Sequence, residues 1–126
     1  VAVSKGNKVL DPLWDRVCVS FDKWNDLLEL HWCNITLHRS DSFRADDNAC
    51  AADTAAQWQY REATINVYLP AIAHFSDPEI EELLVHEMVH ILVNSLESLV
   101  GDRHVNLREL SVENVARALI AVHRAV

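Results

Sequence analysis

The residues His86-Glu87-Met88-Val89-His90 interrupt a stretch that is otherwise apolar, from Ile80 through Leu83, Leu84 and Val85 to Ile91, Leu92 and Val93. Burying two imidazoles and a carboxylate within one helical turn costs on the order of several kcal/mol unless something compensates them. A divalent cation compensates. Side chains at positions i and i+4 stand above one another on one helix face, so the nitrogens of His86 and His90 can converge on a single ion. Zinc accepts neutral imidazole at about 2.0–2.1 Å and, in catalytic sites, keeps a position open for water. Glu87, rotated by about 100° from its neighbour, reaches that water without ligating the ion. The chemistry this H-E-x-x-H spacing predicts is hydrolysis of a peptide bond. The ion activates water and polarises the carbonyl, and Glu87 moves the proton from the water to the leaving amine.

The helix carrying these residues has two overlapping start signals in Ser76-Asp77-Pro78-Glu79, a capping box and an Asp-Pro start. Gly101 is a plausible stop for it. An earlier helix opens at Asp11-Pro12, with Asp11 as N-cap, and runs to about Leu30. Trp14, Val17, Cys18, Phe21, Trp24 and Leu28 recur along it at helical spacing. Trp14, Trp24 and Trp32 read as core anchors. Cys33, Ile35 and Leu37 alternate with polar residues as a half-buried strand does, and residues 39–52 read as a loop. Two more strands are expected at Thr54–Tyr60 and Ala63–Leu69, with a turn near Arg61-Glu62 and Pro70 as the stop. A last helix opens at Asn106-Leu107-Arg108-Glu109, with Val112, Val115, Ala116, Leu119 and Ile120 on one stripe. The expected fold is α+β: an N-terminal helix, a small three-stranded sheet, the His86–His90 helix and a C-terminal helix.

The motif and its setting resemble the zincin metallopeptidases, in which a sheet precedes the H-E-x-x-H helix and a second helix supplies the third ligand. The resemblance covers Trp58 to Val126, and the strand Trp32–His38 before it. It implies a minimal zincin-like domain, similar in size to small zincins of which many come from phages and prophages. It also implies that the last strand, Ala63–Leu69, pairs with an extended peptide substrate. The metzincin extension is excluded, because Ile91-Leu92-Val93-Asn94 lacks its glycine and histidine.

Three residues compete to complete the metal site. Glu109 on the following helix matches the glutamate-ligated zincins (gluzincins), and the stripe Glu109, Val112, Ala116, Leu119, His123 points it inward. A capping box with Asn106 is its purely structural alternative. Glu113, one turn on, is either the ligand itself or an acid that bonds a ligand histidine and sets its tautomer, as that family often has. His104 resembles the third histidine of SprT-like proteases; it could instead, like Tyr60, stabilise an oxyanion, and an exposed loop histidine is its bland reading. His123 reads as a core histidine, and His31, His38 and His74 have no spacing that joins them to the site.

Composition narrows the remaining classes. The 126 residues, half of them hydrophobic, suffice for one domain over residues 1–126. A formal charge of -8 disfavours nucleic acid and anionic membranes as partners. No run of about eighteen apolar residues exists, so no membrane-spanning helix is expected. Val1 to Leu10 lacks the apolar core of a secretory signal, as a processed chain also would. Cys18, Cys33 and Cys50, odd in number and without a C-x-x-C pair, read as free thiols of a reducing cytoplasm.

The expected activity is therefore that of a cytoplasmic zinc metalloendopeptidase acting on a protein or peptide, with Zn2+ as its cofactor. Its rivals are an ImmA/IrrE-like protease that cleaves a repressor, a SprT-like protease, and a zincin-like module that keeps its metal for stability alone. Neither the oligomeric state nor the physiological substrate is legible in these residues.

Overall fold

In a computed structural model, residues 7–100 and 104–126 are described. The elements follow the expected order: helix α1 (Asp11–Leu27), strands β1 (Asn34–Ser40), β2 (Ala52–Gln57) and β3 (Glu62–Tyr68), then helices α2 (Asp77–Val100) and α3 (Val105–Ala125). The protein is an α+β fold of three helices and one small mixed sheet.

The sheet order is β1-β3-β2, with β1 parallel and β2 antiparallel to β3. Strand β3 is therefore central and buries Ala63, Ile65 and Val67 on the face turned to the helices. This corrects one expectation. The strand at residues 63–69 has both edges paired, and the edge beside the cleft belongs to β2. A short turn at Trp58–Tyr60 joins β2 to β3, and Arg61 closes it in the left-handed region at φ 54°.

Local signals account for most boundaries. Ser76 caps α2 reciprocally with Glu79: the Ser76 amide donates to Glu79 Oε1 at 3.1 Å, and the Glu79 amide donates to Ser76 Oγ at 3.4 Å. Asp11, expected as the N-cap of α1, is instead its first residue. A single turn at Lys8–Leu10 precedes it, and Asn7 caps that turn by accepting from the Val9 amide. Helix α1 also ends at Leu27, short of Leu30, which is buried in the next turn. Trp24 is a core residue as expected, whereas Trp32 is 44% exposed and lies outside the core. Gly101, the expected stop of α2, lies outside the described residues.

One core unites the layers. Val17 and Trp24 from α1, the inward residues of β3, Ile80, Leu84, Val85, Met88 and Val89 from α2, and Val112, Ala116 and Ile120 from α3 form a continuous cluster. The stripe expected on α3 holds except for Val115, which is 43% exposed. Helix α2 is long and apolar enough to cross a membrane by length and composition, with mean hydropathy 1.3 over its test window. The absence of an uninterrupted apolar run therefore does not exclude it on that criterion. In the fold, Ile80, Leu84, Val85, Met88, Val89 and Ile91 of this helix are buried in the core, whereas Leu92, Leu96, Leu99 and Val100 toward its end are exposed.

Candidate metal centre

Where α2 passes between β2 and α3, its apolar surface gives way to His86, Glu87 and His90. The two imidazoles lie one turn apart with ring centroids 5.1 Å apart and planes at 72°. Across from them, Glu109 in the first turns of α3 spans both rings. Its Oε2 lies 3.3 Å from His86 Nε2 and its Oε1 lies 3.3 Å from His90 Nε2. One donor atom from each of the three residues falls within 4.8 Å of the others, so this group can hold a metal ion.

The outer ring nitrogens are also fixed. His86 Nδ1 lies 2.7 Å from Glu113 Oε2, and His90 Nδ1 lies 3.0 Å from Glu97 Oε2. A carboxylate accepts and cannot donate, so each Nδ1 carries the hydrogen. In the neutral ring, each Nε2 then presents a lone pair toward the other and toward Glu109, the tautomer a metal ligand needs. The separations agree with this. A charge-assisted N–H···O bond contracts to about 2.7–2.9 Å. Two ligands of a tetrahedral zinc ion stand about 3.3–3.4 Å apart at ordinary Zn–N and Zn–O lengths. The two contacts between Glu109 and the Nε2 atoms match the second spacing. Two imidazoles and one carboxylate are thus a donor set that could hold a metal ion.

Glu87 is the one buried charged residue among the described residues, 5% exposed. It accepts a hydrogen bond from Thr54 Oγ1 on β2 at 2.5 Å through Oε2; its Oε1 makes no hydrogen bond among the described residues. Burial pushes this carboxyl above the usual carboxylate range, and the Thr54 bond and the two imidazoles oppose the shift. For Glu113, burial works upward too, but the bonds from Arg117 and His86 outweigh it and hold that carboxyl low. His86, Glu87, His90 and Glu109 open into a cleft of about 650 Å³ whose opposite wall is the whole of β2, with Arg44, Asn94 and Arg108 at its margins.

Of the residues singled out in the sequence, His86, His90 and Glu109 meet, and Glu87 stands beside them. Glu113 bonds His86 Nδ1, the ring nitrogen away from Glu109, and is not part of the group that could hold an ion. Asn106 is the second residue of α3, so the capping box that would have explained Glu109 structurally does not form. His104 is exposed, immediately precedes α3 and is no part of the group. Tyr60 is 71% exposed, and neither it nor His104 lines the cleft. His123 stacks edge-on against Trp24 at 5.1 Å, and Cys18, Cys33 and Cys50 are free thiols.

Sequence reasoning missed two contributors. Glu97 lies on α2 two turns beyond His90, roughly seven residues on and so on nearly the same face, a spacing that could have revealed it. Thr54 left no such trace, because its neighbour Glu87 is brought to it only by the packing of β2 on α2. No family model, curated protein or solved structure gives a significant match to the chain.

Proposed function

We propose that the chain is a zinc-dependent metallopeptidase of the glutamate-ligated zincin kind, with His86, His90 and Glu109 as ligands and Glu87 as general base. One observation carries the reading. Both Nε2 atoms converge on a shared carboxylate while both Nδ1 atoms are backed by acids, directly beside a buried carboxylate that is not itself needed as a ligand. A donor set of two imidazoles and a carboxylate suits zinc among the common divalent ions.

A bound ion would supply the Lewis acidity that activates water and polarises a peptide carbonyl. The chain's own residues do the rest. Glu113 and Glu97 hold the imidazole planes toward the centre. Glu87, anchored through Oε2, has Oε1 free to accept a proton from water and deliver it to the leaving amine. The cleft along β2 suits an extended peptide, since an edge strand has unpaired amides and carbonyls to offer a substrate backbone. The free thiols accord with a reducing compartment such as the cytoplasm.

The main rival, a metal kept only for stability in a non-catalytic module, predicts a closed set of four protein ligands and no need for a base. Three converging ligands, an open cleft and a buried Glu87 favour catalysis. A SprT-like arrangement would require His104 beside His86 and His90, and the side chain within reach of both is that of Glu109. An ImmA/IrrE-like repressor protease differs from a general peptidase in its substrate, so cleavage of candidate repressors would separate the two.

The test pairs metal content with turnover. Zinc-loaded protein should cleave an unfolded protein such as casein. Glu87→Gln should keep its zinc and lose nearly all cleavage, and Glu109→Ala should bind zinc at least about tenfold more weakly. Full turnover in Glu87→Gln, or unchanged zinc affinity in Glu109→Ala, would dispose of the assignment.

A further inference from the structure

On the helix-facing side of β2, the side chains are Ala52, Thr54 and Ala56. They pair in register with Val67, Ile65 and Ala63, all buried residues of β3. Two alanines let α2 approach this strand closely, and packing alone would favour a third small or apolar side chain between them. The residue there carries a hydroxyl instead. Its Oγ1 lies 2.5 Å from Glu87 Oε2 and 3.5 Å from the Glu87 main-chain oxygen. The hydroxyl has one hydrogen, and the shorter contact, in the range of O–H···O⁻ bonds, identifies the carboxylate as its acceptor.

We infer that Thr54 is a positioning residue for the proposed base: its hydroxyl ties down one oxygen of Glu87 and leaves the other to face the cleft. The inference rests on the peptidase reading for its consequence, but not for its geometry. A glutamate has three side-chain torsions. In this setting the carboxylate is drawn toward His86, His90 and any bound cation, and is repelled by Glu109. Among the described residues, only the Thr54 hydroxyl holds it from the sheet side. The tie also spans two elements, so the orientation of the base depends on how β2 packs against α2.

The experiment compares Thr54→Val, which keeps shape and strand preference but removes the donor, with Thr54→Ser, which keeps the donor. In zinc-loaded protein, Thr54→Val should lower kcat about 10- to 100-fold, with KM within about threefold and full zinc content, and Thr54→Ser should recover most of that loss. A second readout needs no turnover. The side-chain carboxyl carbon of Glu87, assigned in the NMR spectrum by its loss in Glu87→Gln, should shift in Thr54→Val and stay near its native position in Thr54→Ser.

An unshifted signal in Thr54→Val, or a serine variant as impaired as the valine one, overturns the inference. If zinc-loaded wild-type protein cleaves nothing while the Glu87 signal behaves as stated, the peptidase reading fails and the Thr54 tie stands.

Discussion

The two acids behind the histidines offer the sharpest quantitative test. Glu113 and Glu97 make equivalent contacts, at 2.7 Å to His86 Nδ1 and 3.0 Å to His90 Nδ1, but sit in different surroundings. Glu113 is 39% exposed and shares its charge with Arg117 at 2.8 Å. Glu97 is 12% exposed, and among the described residues its nearest cation is Arg108 Nε at 3.7 Å. A carboxylate and a divalent ion on opposite sides of an imidazole are roughly 6–7 Å apart. Their attraction is then about 1.3 kcal/mol in a water-like dielectric and about 2.6 kcal/mol at an effective dielectric of about 40.

Replacing either acid by glutamine keeps the shape and an acceptor oxygen while removing the charge. Glu113→Gln should therefore weaken zinc binding by about tenfold, and Glu97→Gln by close to 100-fold. The shorter contact thus predicts the smaller effect, because screening outweighs a difference of a few tenths of an ångström. Losing Glu97 also leaves the half-buried Arg108 uncompensated near the cation, which pushes the same way. Competition against a chromophoric chelator at pH 7.5 measures both constants, with circular dichroism in excess chelator as the control for folding. The two acids act on different rings, so the double variant should show the product of the two losses. Equal losses, or a larger loss at Glu113, would refute the screening argument. No loss at either would mean that the charges behind Nδ1 do not contribute to holding the ion.

Two further predictions concern pH. Glu87 has its folded-state pKa raised, so in chelated protein its ionisation opposes folding: stability is fullest below the ordinary glutamate value of about 4.3 and falls as pH rises through the folded value. Glu87→Gln should accordingly raise the Tm of metal-free protein at pH 7 and change it little near pH 4, and a lower Tm at pH 7 would contradict the burial argument. Asp41 behaves oppositely, held low by Arg39, which also bonds Asp11 and the Asn7 carbonyl and so ties the start of α1 to the end of β1. Its contribution is present above about pH 3.9 and is lost as pH falls through the depressed value. Arg39→Met should lower Tm at pH 7, and the gap to wild type should close in acid; a gap independent of pH would show that the guanidinium acts only through packing.

How legible each part was follows from how local its cause is. His86, Glu87 and His90 are specified within one turn of one helix, and Glu113 and Glu109 by the same periodicity on α3, where Val112 and Ala116 enter the core three residues after each. Such relations survive without knowledge of the tertiary fold. Thr54 required the register of β2 against β3 and the packing of β2 on α2, neither of which leaves a pattern in a six-residue strand of small side chains. The sheet order was equally hidden. Alternation identifies β3 as half buried, but whether a strand is central or at an edge is decided by β1 crossing over to pair in parallel with it. Asp11 is not the cap because the turn Lys8–Leu10, capped by Asn7, runs directly into α1 and leaves Leu10 at the cap position. Trp32 misled because size alone suggested burial, whereas the turn after α1 buries Leu30 and turns Trp32 outward.

The relation between core and site bears on what the metal is for. The core joins all three helices to the sheet, and the site residues lie at its margin: His86 and His90 are partly exposed, Glu109 is exposed, and Glu87 alone is buried. The core cluster contains none of these four residues, unlike small domains in which metal binding supplies the folding energy. Chelation should therefore leave the helical circular dichroism intact and lower Tm only through mass action. That is about 2.7 kcal/mol at a free zinc concentration of 100 Kd, or roughly 10 °C for a chain of this size. A metal retained for structure would behave differently, with helicity collapsing on chelation and returning on zinc addition. That collapse would overturn the catalytic reading even if all three ligands were correctly assigned, because it would move the ion from the cleft's chemistry into the fold's stability.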